Sequence, residues 1–175
     1  MEWQQLLTDG YERISSSLER VLDGLSPQDL DRQPKPDCNS MGWMAWHLTR
    51  GEDGQISALM GEEQLWIKDK WYQKFDRPAD PKDTGFRHST EQVAAFKSPG
   101  VKTILDYHRA VLERSKQYFN TLSASDLDRV LDEPWFQPLP TVGVRLISVM
   151  VDCLEHVGQI AYVRGLLKGK GWSNI

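Results

Sequence analysis

Four stretches of the chain repeat apolar residues at the period of an amphipathic helix, and prolines keep the stretches apart. The first, about residues 2–24, sets Trp3, Leu7, Tyr11, Ile14, Leu18, Val21 and Leu22 on one face. The second, about 40–60, opens at Ser40 as an N-cap and carries Met44, His47, Leu48, Gly51 and Gln55. The third, about 101–121, presents Ile104, Leu105, His108, Val111, Leu112, Tyr118 and Phe119. The fourth, about 141–168, is the most apolar, opens at Thr141 and stops near Gly169 and Gly171. All nine prolines fall between these stretches, as expected of a residue that has no N–H to donate and clashes with the preceding turn of a helix. Strand-like alternation is nearly absent. The pattern predicts an all-α protein, a four-helix bundle in one domain spanning 1–175.

The chain reads as internally doubled. Leu25-Ser-Pro-Gln-Asp-Leu-Asp-Arg32 recurs as Leu122-Ser-Ala-Ser-Asp-Leu-Asp-Arg129, identical at six of eight positions. Each copy follows a helix and precedes a proline-containing loop, which ends in a capping hydroxyl, Ser40 or Thr141. Duplication of a helix pair predicts a pseudo-twofold bundle with the second and fourth helices opposed. The alternative is local: Ser-x-x-Asp starts a short capped turn in any protein. Between the second and third helices, residues 62–100 exceed what a bundle connection needs. Trp66, Trp71, Tyr72 and Phe75 predict an ordered cover there, and Ser89–Phe96 a short capped helix.

Bulk numbers narrow the class. A formal net charge of −4, with cations scattered, gives no electrostatic footprint for nucleic acid. No uninterrupted apolar run approaches the ~18 residues of a membrane span, and the N-terminus lacks a leader pattern. The expected partner is therefore a small molecule, with neither nucleic acid nor membrane. Two cysteines, Cys38 and Cys153, make no disulfide scaffold, Cys153 reads as a small core residue, and a cytoplasmic location is expected.

The chemistry lies in the fourth helix. Asp152 and His156 are four residues apart, so they share one face, on a stripe running through Arg145, Val149, Ile160 and Val163. That stripe is expected to be largely buried, and buried polar groups need partners. One partner would be a divalent metal, with His47 of the opposed second helix as third ligand. Gly51 and Gly54, one and two turns on, would leave room beside that imidazole. Two imidazoles and a carboxylate suit Zn²⁺, with Ni²⁺ or Fe²⁺ as alternatives, and three protein ligands leave a position for water or substrate. The other reading is a core polar network in which Asp152 and His156 pair with each other or with Arg145 and Arg164. His108 is an alternative ligand and His88 a weaker one. Glu155 and Gln159 flank His156 and could orient ligands. Glu52 and Asp53 are expected to face solvent. No phosphate loop, nucleophile elbow or cysteine cluster is present.

Three motifs together, Leu122-Ser-x-x-Asp-Leu, Val151-Asp-x-x-x-His-Val-Gly-Gln-Ile160 and Trp43-x-x-x-His-Leu48, resemble the DinB-like superfamily. That superfamily includes mycothiol-dependent maleylpyruvate isomerase, bacillithiol transferases and metal-dependent hydrolases. The resemblance spans essentially the whole chain and implies a metal held by His47, Asp152 and His156. Many relatives have histidine where this chain has Asp152, while the isomerase has a glutamate there. It further implies a homodimer and a metal-dependent transferase or hydrolase, in which a low-molecular-weight thiol or water attacks an electrophile. The rival is a non-catalytic, dimeric metal-binding or stress-response bundle whose triad is structural.

Overall fold

The computed structural model describes residues 1–169 and 171–173. Its four long helices are α1 (Trp3–Leu22), α3 (Met41–Met60), α7 (Val101–Thr121) and α8 (Val142–Lys168). Shorter helices fill the connections: α2 (Pro27–Asp31), α4 (Leu65–Lys68), α5 (Trp71–Lys74) and α6 (Thr90–Ala94), with a 3-10 turn at Ala124–Asp128. The described residues contain no strand, only an isolated antiparallel bridge between Val130 and Thr141. Each long helix starts within two residues of its predicted start. Ser40 and Thr141 cap α3 and α8 by accepting from the backbone N–H of Trp43 and Val144.

The helices run up, down, down, up. Tyr11 donates to the carbonyl of Leu146 and Arg164 to that of Val21, which makes α1 parallel to α8. Arg109 reaches Glu19 while Lys116 reaches Glu12, which makes α7 antiparallel to α1. In turn α3 packs antiparallel on α8 and parallel to α7. This arrangement has the predicted pseudo-twofold: α1 exchanges with α7, α3 with α8, and α2 with the 3-10 turn. The repeated octapeptides occupy equivalent places, each forming a capping box, Ser26 with Asp29 and Ser123 with Asp126. One apolar core joins the four helices, centred on Tyr11, Leu18, Trp46, Leu48, Tyr107, Phe119, Leu146 and Ile160.

Symmetry ends at the cover, residues 62–100, which lies over α3. Its own Trp66, Trp71, Phe75 and Phe96 are buried on the inner side. Two residues of α3 tie it down. Asp53 accepts from the backbone N–H groups of Leu65 and Trp66 at 2.9 and 2.8 Å and from the Tyr107 hydroxyl at 2.7 Å. Arg50, fully buried, donates to the carbonyls of Asp80, Pro81 and Asp83 and to Gln64.

These contacts overturn the expectation that Glu52 and Asp53 face solvent: both are buried. Helical periodicity supplies one core face, but α3 is enclosed by α2, α7, α8 and the cover together, so hardly any of it remains for water. Cys38 and Cys153 are both free, and Cys153 is buried as expected. Although its apolar residues are interrupted, α8 is by length and composition long enough to cross a bilayer; its inner side packs on α1 and α3.

Candidate metal centre

Antiparallel packing of α3 on α8 brings His47, Asp152 and His156 together, with one ligand atom from each lying within 4.8 Å of the others. The two imidazoles meet edge to face, centroids 4.8 Å apart at 84°. Asp152 Oδ1 is 3.7 Å from His156 Nε2. Of the partners a polar network could use, Arg145 and Arg164 are engaged elsewhere, which leaves Asp152 and His156 to each other. Arg145 binds Glu133 and Gln55, and Arg164 binds the Val21 carbonyl and covers the Trp172 ring.

Each histidine is oriented from behind. His47 Nδ1 lies 2.5 Å from the carbonyl of Thr84, which can only accept, so Nδ1 carries the proton. His156 Nδ1 lies 2.8 Å from Gln159 Oε1, an acceptor for its N–H that turns Nε2 toward the site. Both Nε2 atoms are thereby left as lone pairs, which is the tautomer a metal requires. The His47 ring also stacks on Trp43, centroids 4.8 Å apart at 15°. Burial lowers the pKa of His47, with the Thr84 bond opposing and His156 reinforcing, so the ring is held as a neutral donor.

Thr84 gives no sequence signal as an orienting group, since it contributes a backbone carbonyl from the cover. Its approach depends on Gly85, at φ 88°: a β-carbon there would lie 2.8 Å from the Trp43 ring, 2.9 Å from Trp46 and 3.1 Å from His47 Nδ1. Of the two flanking residues, both exposed, Gln159 occupies the orienting position that its spacing suggests.

Several expectations need correction. Asp152 is not on a buried stripe; its side chain is 53% exposed. The buried line of α8 runs through Leu146, Val149, Cys153, Val157 and Ile160, and one residue step of about 100° carries Asp152 to the rim of the α3–α8 groove. Gly51 does border the site, its virtual β-carbon 3.8 Å from Asp152 Oδ2, but Gly54 faces Gln64. His108 and His88 lie outside the cluster. His108 is buried against Thr49 with Nε2 unpartnered, and His88 bridges Asp83 and the Trp43 indole N–H.

A cavity of about 540 Å³ opens beside the triad, lined by His47 and Asp152 at its polar end. Phe86, Phe136, Leu139 and Val144 supply apolar walls. The loop bearing Phe136 and Leu139 is closed at its base by Leu131 N–H donating to the Pro140 carbonyl, and Arg145 ties it inward through Glu133. The donor set fits a divalent ion: two neutral imidazole nitrogens and a carboxylate converge, and the protein supplies no fourth ligand from the described residues.

Comparison with known proteins agrees with this architecture. The solved structure of a conserved protein from Enterococcus faecalis is 31% identical in sequence and superposes with a TM-score of 0.89, over 97% of this chain and 99% of its own. No curated protein matches the chain. The family model of the DinB superfamily matches residues 11–160. With bundle, long cover and motif-bearing helices all accounted for, the chain belongs to the DinB superfamily.

Proposed function

We propose that the protein is a metal-dependent enzyme in which His47, Asp152 and His156 hold a divalent ion, zinc first and nickel or iron as alternatives. Its reaction is transfer of a low-molecular-weight thiol to an electrophilic small molecule. The observation that carries the reading is the matched pair of Nδ1 contacts, to Thr84 and Gln159, which leave two Nε2 lone pairs beside a carboxylate at the end of a cavity.

A three-ligand ion with an open position lowers the pKa of a thiol or water presented to it. The rest of the work belongs to the chain. Thr84 and Gln159 hold the ligand rings, so that little reorganisation accompanies binding. Phe86, Phe136, Leu139 and Val144 offer apolar surface to the carbon skeleton of the electrophile. In the step itself the sulfur–carbon bond forms, the leaving group departs with the electrons of its bond to carbon, and the thiol proton passes to solvent. Hydrolysis, with water in place of the thiol, is the close variant.

Elemental analysis of protein purified without added metal, beside His47→Ala and His156→Ala, tests the site. About one equivalent of metal, lost in both variants, is expected. Thiols are then paired with monochlorobimane, whose chloride is displaced on conjugation. Metal-dependent conjugation is the expected result. Turnover that survives chelation with verified metal loss overturns the proposal, and metal binding without turnover on thiols or esters leaves the non-catalytic bundle.

A further inference from the structure

The cavity beside the triad has a second polar end, made by Arg145 of α8 and Gln55 of α3. Arg145 precedes Asp152 by two helical turns and Gln55 follows His47 by slightly more, so both helices carry the pair about 10–12 Å from the metal ligands at 1.5 Å per residue. The Arg145 side chain is only 12% exposed and is held from two sides. One terminal nitrogen donates to Glu133 and the other to Gln55 Oε1. Those contacts use two of the five N–H groups of an arginine. Neither involves Nε, which is not enclosed and therefore stays open to a ligand in the cavity that Arg145 lines.

What this end offers is donors. Arginine has no acceptor, so its contact with Gln55 identifies the amide oxygen and leaves the Gln55 NH2 group to donate into the cavity. Ser148 lines the same wall but gives its hydrogen to the Val144 carbonyl and takes no part. The Phe136 ring lies 5.7 Å from the guanidinium carbon, and in such apolar surroundings a charged hydrogen bond is strengthened. Glu133 already offsets part of the positive charge. One further negative charge fits; a dianion such as a phosphate monoester would set two charges against that carboxylate.

We propose that Arg145 and Gln55 recognise a single carboxylate on the electrophilic substrate, with its reacting carbon directed to the triad and its apolar body along Phe136 and Val144. The guanidinium fork and the amide donor suit the two oxygens of a carboxylate, and the contacts to Glu133 and Gln55 hold the fork ready. The electrophile rather than the thiol carries the charge because the apolar walls, which suit a carbon skeleton, adjoin Arg145 itself. Arg145 is thus a specificity-determining residue as well as the tie for the loop that bears Phe136. The inference rests on the substrate cavity of the reading above, but its binding test needs neither an ion nor turnover, so the two fail separately.

Calorimetric titration of the full chain with phenylbutyrate and with phenylbutyramide, which differ at the carboxylate alone, tests it. The carboxylate should bind about 10-fold tighter or more, and Arg145→Gln should erase that preference. Glu133→Gln keeps Arg145 and removes the competing anion. It should tighten phenylbutyrate and leave the amide unchanged, whereas an arginine that only ties the loop predicts weaker binding of both. The preference should persist in His156→Ala, where a carboxylate on the ion cannot explain it. Melting curves establish that each variant is folded. Two displacements of bromide by a thiol sulfur then read which reactant carries the charge: bromomethylbenzoate with mercaptoethanol, and bromomethylbenzamide with mercaptopropionate. Arg145→Gln should raise KM for the benzoate about 10-fold and leave that for mercaptopropionate unchanged. Equal binding of acid and amide by the wild type overturns the inference. So does a preference that survives Arg145→Gln or is lost in His156→Ala, a Glu133→Gln protein that binds both ligands more weakly, or a KM effect on the thiol instead of the benzoate.

Discussion

His47 and Thr84 are joined by a hydrogen bond of 2.5 Å from an imidazole nitrogen to a backbone carbonyl, and this bond ties the cover to the candidate metal centre. Cover and ligand are thus one unit, and the cover's integrity should be readable in metal affinity.

Gly85→Ala tests that link. The added methyl group would press on Trp43, Trp46 and His47 Nδ1, at a positive φ that alanine disfavours. Metal affinity is expected to fall about 10–100-fold, the usual cost of losing an orienting contact, while far-ultraviolet circular dichroism stays helical. Wild-type affinity in a competitive chelator titration would show that His47 needs no such support.

Gln159→Leu removes the acceptor for His156 Nδ1–H from a position exposed to solvent. The fold should be unaffected, with metal affinity again down about 10-fold or more. Gln159→Glu, which restores an acceptor, should recover most of the loss. Equal affinity in all three proteins would remove Gln159 from the site.

Asp53 anchors the cover, and Arg50 lies 3.6 Å from it with no exposed surface. Asp53→Ala would orphan two backbone N–H groups and leave a buried guanidinium without its carboxylate. The expected cost is about 3–5 kcal/mol in urea unfolding, with new proteolytic cleavage between residues 62 and 100. A loss below about 1 kcal/mol would mean the cover is held by its aromatic residues alone.

Glu52 and His108 should give opposing pH dependences. Burial raises Glu52 from 4.5 to about 7, with the Ser115 hydroxyl opposing and Asp53 adding. Since the folded pKa is the higher, the folded state binds the proton more tightly. Stability from this group is full below about 4.5 and declines as pH rises to about 7. Burial lowers His108 from 6.5 to about 4, with Arg109 adding. Its contribution is full above 6.5 and is lost as pH falls to about 4. Each effect is on the order of 3 kcal/mol, so the two largely cancel in the wild type between pH 4.5 and 6.5. Glu52→Gln should be more stable above pH 7 and lose stability steeply on acidification. His108→Leu should instead gain stability as pH falls. Parallel melting profiles for the three proteins would refute the account.

Much of this protein was legible in one dimension. Helix boundaries followed from periodicity, proline exclusion and the caps Ser40 and Thr141, all local effects that act within a few residues. The repeated octapeptide gave the pseudo-twofold, because equal sequences made equal capping boxes. The i, i+4 spacing put Asp152 and His156 on one face, and opposition of the second and fourth helices added His47.

Tertiary structure decided what depends on distant chain segments. Periodicity measures burial against one core, so it could not foresee that the cover would enclose Glu52 and Asp53, or that the groove rim would leave Asp152 half in solvent. The Thr84 carbonyl bears no side-chain mark, and only folding over 37 residues brings it to His47. Local propensity fixes helices and the spacing of groups along them; which faces are covered, and by what, is set by packing between parts of the chain that sequence distance does not relate.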